Sequence, residues 1–318
     1  MRPGRARELA HAVLLPATAE LDTVEFEPLL GRGCRAVLLG ETRAEYLARA
    51  MSAERVAAET AERVRDTIAA LRARASGELL VAVDHEVVGI RRFEHLLPRD
   101  APAEGLRDLG VNVALGPIVD VVRGENPWLS GRNLGSDAAV VAAAGRAAVE
   151  ELQAAGVAAV AKHYPGHPVL PDDPAVSPAV LRGPLDGLEE PFEAVVAAGV
   201  RGIMLGPAVV EAVDPEDAAS CSRGVVQLVR ERLGFRGTLV SDDLDAAGIV
   251  RGRTVGEAAV ASLGAGADLL LIAAEAAPEC ADALIRAVTD GRIGEARLTE
   301  AVESVAHLEM HPPSRIAP

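Results

Sequence analysis

Three apolar runs of this chain end in charged side chains whose chemistry suits a polar substrate. The runs are LLVAV at 79–83 before Asp84, AAVAK at 158–162 ending in Lys162 before His163, and TLVSD at 238–242 ending in Asp242. An ionised aspartate can act as a nucleophile, whereas a lysine ammonium and an imidazole can hold hydroxyl groups by hydrogen bonds. If the runs are strands of one parallel barrel, these groups meet at one rim.

Lys162 is the only lysine among the 32 lysine and arginine residues of the 318-residue chain. An arginine side chain presents a wide planar fork, whereas the lysine ammonium is a compact charge with three donors. The single exception therefore indicates a tight position in which a compact donor meets adjacent hydroxyls of a small ligand.

Some of these residues also have purely structural interpretations. Strand-end aspartates often cap the following helix, and Asp243 could be only such a cap. His163 and His167 are four residues apart, but Pro165 and Gly166 break a helix between them, which argues against a zinc-binding pair. We expect His167 to brace its loop through hydrogen bonds.

Eight short apolar runs predict the elements that must position these groups. They lie at 11–15, 35–39, 79–83, 111–115, 158–162, 202–206, 238–242 and 268–272. The runs are continuous rather than alternating, as in parallel strands buried on both faces, and the segments 53–74, 138–155 and 223–233 between them are predicted helices. Eight such units predict an α/β fold of the TIM-type (β/α)8 class, as a single domain over 1–318. A doubly wound open sheet is the alternative, but no glycine-rich phosphate loop is present.

The connection between the third and fourth runs is too short for a regular barrel unit. Little chain separates Asp84 from Val111, and Pro98 and Pro102 lie within it. We expect a shortened or missing helix there.

Composition limits the possible partners. The net charge of -15, without any basic run, argues against nucleic acid and anionic membrane surfaces, and leaves small neutral or cationic ligands. Aromatic residues make up only 2%, which argues against a long oligosaccharide cleft. No run is long and apolar enough to cross a bilayer, and the oligomeric state stays open.

The cysteines and the N-terminal residues bear on localisation. Cys34, Cys221 and Cys280 lack paired spacing, so we expect buried thiols in a reducing compartment and a cytoplasmic protein. The first 20 residues faintly resemble a signal peptide. Polar residues and Pro16 interrupt the apolar run, however, and AVLLP suits a first strand.

The ordered polar segments resemble glycoside hydrolase family 3, in its β-N-acetylhexosaminidase type. KHYPGH at 162–167 is similar to the family's KHFPGH signature, and VSDDL at 240–244 to the segment that carries its nucleophile. Similar segments are VAVDHE at 81–86, GVNVALGPIVDV at 110–121, GRNLGSD at 131–137 and RERLGFRG at 230–237. The resemblance covers about residues 35–275, and the ordered set is more specific than any single motif.

This resemblance implies a TIM barrel and a retaining glycosidase acting on terminal β-linked N-acetylglucosamine. By match to the motifs, Asp242 is the expected nucleophile. The residues expected to hold the sugar hydroxyls are Asp84, Arg132, Lys162 and His163. The resemblance implies no metal and no organic cofactor, and a small carbohydrate as the ligand.

The chain departs from the family where the proton donor is expected. The family's loop after PGH carries an Asp and a His in a G-D-T-x-x-D-S-H pattern. Here it reads PVLPDDPAVSPAV, with no histidine between His167 and His307. Further departures are Val87-Val88 for a glycine pair, Leu205-Gly206-Pro207 for T-A-H, and Asp245-Ala246 at the position of a methionine. Together they indicate a reshaped pocket, near which Trp128 and Tyr164 are the only expected aromatic residues.

Three interpretations follow from the missing donor. In the first, Asp172 or Asp173 supplies the proton, with its pKa raised by apolar burial, although Pro-Asp-Asp-Pro also favours a solvated turn. In the second, the enzyme transfers the sugar to an acceptor other than water, or uses substrates with good leaving groups. In the third, the chain has lost catalysis and binds a sugar or another small polar ligand.

Overall fold

The computed structural model describes residues 3–310. The first two residues of the N-terminal arginine-containing stretch and the last eight of the predicted 1–318 domain lie outside the described residues. The strands are β1 (Leu14–Thr18), β2 (Ala36–Leu39), β3 (Leu80–Asp84), β4 (Val113–Ile118), β5 (Ala158–Tyr164), β6 (Val180–Leu181), β7 (Gly202–Leu205), β8 (Val209–Val210), β9 (Thr238–Val240) and β10 (Leu270–Ala273).

Helices follow or separate these strands. They are α1 (Pro3–Ala12), α2 (Glu27–Leu30), α3 (Arg43–Ala48), α4 (Ala53–Ala58), α5 (Ala61–Arg74), α6 (Pro102–Leu109), α7 (Ala138–Ala154), α8 (Glu190–Ala197), α9 (Arg223–Glu231), α10 (Ala247–Val250), α11 (Val255–Ala265), α12 (Ala277–Thr289) and α13 (Glu295–Val305). Short 3-10 turns lie at Glu94–Leu96, Ala219–Cys221, Ala274–Ala276 and Ala306–Leu308.

Eight parallel strands form the sheet, in the order β10-β1-β2-β3-β4-β5-β7-β9. A parallel bridge between Val240 and Leu269 joins its two ends, and the Ser241 amide donates to the Leu269 carbonyl at 2.9 Å. The sheet therefore closes into a barrel surrounded by helices, which confirms the predicted TIM-type class. Strands β6 and β8 pair separately as a two-stranded sheet.

The barrel strands are apolar on both faces because each face packs on a different core. In β2, Leu38 joins the cluster inside the barrel, whereas its neighbours Val37 and Leu39 join the larger cluster between barrel and helices. Successive side chains of a strand point to opposite faces, so continuous apolar runs are the expected pattern.

The eight predicted runs all contain barrel strands, with differences at their ends. His11 and Ala12 belong to α1 rather than to the first strand, and the His11 ring lies 2.8 Å from the Arg7 carbonyl one helical turn earlier. The predicted helix 53–74 is divided between α4 and α5, because Thr60 caps a new helix by accepting from the Arg63 amide.

The connection between β3 and β4 holds a short helix, α6, of eight residues. Pro102 stands in its first turn, where the missing amide hydrogen costs no helical bond. The helix is thus shortened, as predicted, and not missing.

The three cysteines are free and buried. Burial raises the pKa of each thiol to about 12, so none is an activated nucleophile. Within residues 3–310, no helix has the length and apolarity to cross a membrane.

Candidate active site

A cavity of about 780 Å³ opens at the carboxyl ends of the barrel strands. It brings together five residues that were singled out from the sequence. Two of them are adjacent on β5, and each of the other three comes from a different strand end or loop. They are Asp84, Arg132, Lys162, His163 and Asp242. This is the end of the barrel at which parallel α/β barrels place their active sites.

The bottom of the cavity holds an ion-pair chain formed by Asp84, Lys162, Glu86 and Arg132. Lys162 Nζ contacts Asp84 Oδ1 at 2.5 Å and Glu86 Oε1 at 3.2 Å. Arg132 donates two bonds to Glu86, from Nη2 to Oε1 at 2.7 Å and from Nε to Oε2 at 3.2 Å. The four charges alternate in sign and sum to zero.

Burial and pairing act in opposite directions on these groups. Burial by itself raises the pKa of Glu86, but Lys162 and Arg132 outweigh it and hold the pKa at about 2. Burial likewise disfavours the Lys162 ammonium, yet Asp84 and Glu86 raise its pKa above the usual value. Glu86 and Lys162 are therefore both charged at neutral pH.

Asp120 fixes the orientation of two histidines. Its Oδ2 accepts from the His163 backbone amide at 2.8 Å and lies 3.0 Å from His163 Nδ1, while its Oδ1 lies 2.7 Å from His167 Nδ1. Burial would raise the pKa of Asp120, but the two imidazoles lower it well below its usual range. Because an ionised carboxylate only accepts, we assign the proton of both rings to Nδ1. His167 thus braces its loop, as expected.

Asp242 presents one fixed and one free carboxylate oxygen. Its amide donates to Ser220 Oγ at 3.0 Å, and its Oδ1 accepts from the Asp243 amide at 2.8 Å. Its Oδ2 is buried, lacks a hydrogen-bond partner among residues 3–310, and lies 3.9 Å from His163 Nε2. Burial lowers the pKa of His163, so its ring is neutral beside Asp242 at neutral pH.

Asp243 lines the same cavity and does not cap a helix. The next helix, α10, begins after Ala246, which occupies the cap position. Burial, followed by the charges of Asp245 and Asp242, raises the pKa of Asp243 well above its ordinary value. The interpretation of Asp243 as a cap is therefore wrong.

Asp172 and Asp173 lie on the loop 165–179, and neither lines the cavity. Asp172 is exposed, and Asp173 Oδ1 accepts from the Ala175 amide at 2.9 Å, which closes a turn. Only Ala175 and Val176 of this loop line the cavity. The structure thus places neither aspartate among the residues that line the cavity with Asp242.

Aromatic residues enclose one side of the cavity, and one of them was not anticipated. Tyr46 Oη accepts from Trp128 Nε1 at 2.8 Å and from Arg132 Nη1 at 3.1 Å. The Trp128 ring lies 4.4 Å from the His163 ring. Tyr164 is buried against Phe192 away from the cavity lining, so the expectation of Trp128 and Tyr164 as the nearby aromatics holds only for Trp128.

Glu41 is another cavity residue that the sequence reasoning missed. It follows β2, and its Oε2 is buried without a hydrogen-bond partner in the described part of the chain. Burial, followed by repulsion from Asp84, raises its pKa to about 8 despite the nearby Lys162. The signal was available, because Glu41 follows the run RAVLL after a single glycine, much as Asp84 directly follows LLVAV.

Comparison with known proteins identifies the family of the chain. The family model of the glycosyl hydrolase family 3 N terminal domain matches residues 100–308. A beta-hexosaminidase of Xanthomonas oryzae pv. oryzae is 31% identical over 265 residues, which are 74% of this chain and 78% of the relative. A beta-hexosaminidase of Xylella fastidiosa is 32% identical over 260 residues, which are 72% of this chain and 76% of the relative.

A solved structure gives the same result for the fold. The structure of a glycoside hydrolase family 3 beta-N-acetylglucosaminidase from Paenibacillus sp. str. FPU-7 superposes with a TM-score of 0.84 at 26% identity. The superposition covers 98% of this chain and 64% of that chain, so this chain spans just under two thirds of the Paenibacillus enzyme. Because the family model matches more than half of the sequence, and relatives above 30% identity align over more than two thirds of it, the chain belongs to glycosyl hydrolase family 3.

Proposed function

We propose that the chain is a retaining glycosidase that releases terminal β-linked N-acetylhexosamine from small glycosides through a covalent intermediate on Asp242. The observation that carries this proposal is the Asp242 carboxylate, which lines the cavity and whose Oδ2 has no hydrogen-bond partner in residues 3–310. The substrate class follows the names of the relatives, which are beta-hexosaminidases. A cavity of about 780 Å³ is large enough for a small glycoside.

The proposed reaction has two steps. Asp242 Oδ2 attacks the anomeric carbon, the bond to the leaving oxygen breaks with its electron pair, and that oxygen takes up a proton or leaves as a stable anion. Water then attacks the same carbon, gives up a proton and releases the sugar, which restores the Asp242 carboxylate. The ion-pair chain and His163 hold the sugar hydroxyls during both steps.

The leaving oxygen needs a proton unless it departs as a stable anion. Asp172 and Asp173 are the candidates from the sequence, and either would have to reach the cavity through a movement of the loop beyond Leu170. A leaving group that departs as an anion needs no such donor. We therefore propose that the enzyme acts best on glycosides with good leaving groups, or transfers the sugar to an acceptor other than water.

Binding without hydrolysis is the second candidate function. It is favoured by the side chains that the loop 165–179 contributes to the cavity, which are those of Ala175 and Val176 and cannot transfer a proton. The ion-pair chain would then serve only as a sugar-binding floor.

Intact-protein mass spectrometry with an aryl β-N-acetylglucosaminide tests the two candidates, because the phenolate leaves without protonation. We expect phenol release or a glycosyl adduct in the native enzyme and neither in Asp242→Asn. The exposed Asp186→Asn serves as the matched control and should behave as the native enzyme. Absence of both signals in the native enzyme, together with binding of N-acetylglucosamine, would leave the binding function.

A further inference from the structure

The Glu41 carboxyl group has no positively charged partner of its own among the described residues. The charged groups acting on it are those of the ion-pair chain, which is already neutral. Lys162 and Arg132 are committed to Asp84 and Glu86 at distances of 2.5 to 3.2 Å. Glu41 lines the cavity, and its buried Oε2 lacks a donor among the described residues.

The rest of the cavity is acidic as well. Its lining contains seven carboxyl groups, of which two have raised pKa values, and three permanent cations. The carboxyl groups are those of Glu25, Glu41, Asp84, Asp242, Asp243, Asp245 and Glu275, those with raised pKa values are Glu41 and Asp243, and the cations are Arg43, Arg132 and Lys162. A concave site with this imbalance, in a chain of net charge -15, attracts cations and repels anions.

The position of Glu41 in the barrel indicates which end of a bound sugar it would contact. In the strand order of the barrel, β3 with Asp84 lies diametrically across from β9, which precedes Asp242. Glu41 follows β2 and is influenced by Asp84, Glu86, Lys162 and Arg132. It therefore lies at the end of the cavity that holds the hydroxyls, away from the anomeric carbon.

We propose that the terminal sugar recognised here is an amino sugar, with an ammonium group on carbon 3, 4 or 6 that binds Glu41. This inference rests on the proposed function, because it uses Asp242 to orient the sugar. An ammonium supplies three donors and the missing positive charge, whereas a hydroxyl supplies one donor and no charge.

Proton linkage gives the proposal a signature of its own. With a pKa of about 8, Glu41 is mostly protonated at pH 7 in the free protein. A bound ammonium favours the carboxylate and lowers that pKa, so binding at pH 7 releases close to one proton. A hydroxyl at the same position leaves Glu41 protonated and releases none.

Isothermal titration calorimetry with four ligands tests the proposal. The ligands are methyl β-N-acetylglucosaminide and its 3-amino, 4-amino and 6-amino deoxy analogues, each measured at pH 7 in two buffers of different ionisation enthalpy. We expect one amino analogue to bind at least about tenfold more tightly than the parent glycoside, with a proton released. Equal or weaker binding of all three analogues would overturn the proposal.

Glu41→Gln assigns the effect to Glu41. The variant keeps the size and the neutral state of the protonated side chain, so it should fold, which a thermal melt checks. We expect it to lose both the preference for the amine and the proton release, whereas Glu231→Gln, at an exposed position outside the cavity lining, keeps both. Retention of the preference in Glu41→Gln would contradict the assignment.

The outcomes separate this inference from the proposed function. A preference for the amine without any Asp242 adduct refutes the glycosidase proposal alone. An adduct with the parent glycoside but no preference refutes the amino-sugar proposal alone. Failure of all four ligands to bind refutes both.

Discussion

The bottom of the cavity and the loop above it differ in how their polar groups are used. At the bottom, Asp84, Glu86, Lys162 and Arg132 form a chain in which every charge has a partner. In the loop 165–179, Asp173 is used for a turn and Asp172 is exposed. The comparison shows that the residues proposed to bind the sugar line the cavity, whereas the two aspartates of the loop do not.

The two regions also differ in what a substitution costs. Removing one member of a buried ion pair leaves an uncompensated charge, which costs about 3 to 5 kcal/mol. Replacing an exposed turn residue usually changes the free energy of unfolding by less than about 0.5 kcal/mol. The ion-pair chain is therefore constrained by folding, whatever it binds.

Asp242→Asn should cause the largest loss of activity. The amide cannot act as the nucleophile, so phenol release from an aryl β-N-acetylglucosaminide should fall about a thousandfold or more, with little change in binding of the sugar. Stopped-flow release of phenol and calorimetry of N-acetylglucosamine measure the two effects. Unchanged release would remove Asp242 from the mechanism.

Glu86→Gln should give the largest loss of stability. The substitution leaves Lys162 and Arg132 without their shared carboxylate, and we expect the free energy of unfolding to fall by about 3 kcal/mol or more in urea. Glu150→Gln is the control, because Glu150 pairs with Arg146 on the surface, 3.9 Å away. Its expected effect is below about 0.5 kcal/mol.

The native protein and Glu86→Gln should also differ in how their free energy of unfolding depends on pH. The folded-state pKa of Glu86 is lowered to about 2, so its stabilisation is fully present above the unfolded-state pKa and is lost as pH falls from about 4.5 to 2. The difference in unfolding free energy between native protein and Glu86→Gln should therefore shrink from pH 6 to pH 3. A difference that grows on acidification would contradict the assignment of charge to Glu86.

Asp120→Asn should have an intermediate effect, because it acts through His163 and His167. The amide cannot serve both Nδ1–H groups as an acceptor, so His163 loses its fixed orientation beside Asp242. We expect phenol release to fall about tenfold, with a shifted pH profile that a loss of stability alone would not produce. A normal pH profile and normal rate would show that Asp120 is only structural.

Asp172→Asn and Asp173→Asn should have the smallest effect on the aryl substrate, below about twofold, since its leaving group needs no proton. An alkyl β-N-acetylglucosaminide tests the two aspartates more strictly, because its leaving group does need a proton. If either aspartate reaches the cavity and supplies the proton, its variant loses about a hundredfold on the alkyl substrate only.

The barrel could be predicted because its signal is local. Continuous apolar runs of five residues mark parallel strands buried on both faces, and their number and spacing give eight units. Boundaries were less predictable, as at His11, where a helix continues into the expected strand because its ring bonds to the preceding turn. Closure between β9 and β10 depends on register, which the sequence pattern does not specify.

The site was predictable wherever a polar residue ends a strand, as at Asp84, Lys162 and Asp242. Glu41 obeys the same rule and was overlooked. The role of Tyr46 could not be predicted from the sequence. This residue lies on α3, and its place at the cavity is evident only from its hydrogen bonds to Trp128 and Arg132. The orientation of the Asp173 side chain could not be predicted either, because it depends on the hydrogen bonds of a turn that residue spacing does not determine.

The bonds of Asp120 have a mechanical consequence for the loop that follows β5. They pin both ends of the His163–His167 segment to one buried carboxylate, and Asn126 Nδ2 also donates to the His167 carbonyl at 2.7 Å. The loop is held further on as well, since the Pro168 carbonyl accepts from two backbone amides and the buried Leu170 donates its amide to the Glu125 carbonyl. Any hinge must therefore lie beyond Leu170. The start of the loop is fixed, so a proton-donating segment grafted after Leu170 should be accepted without moving Lys162 or His163.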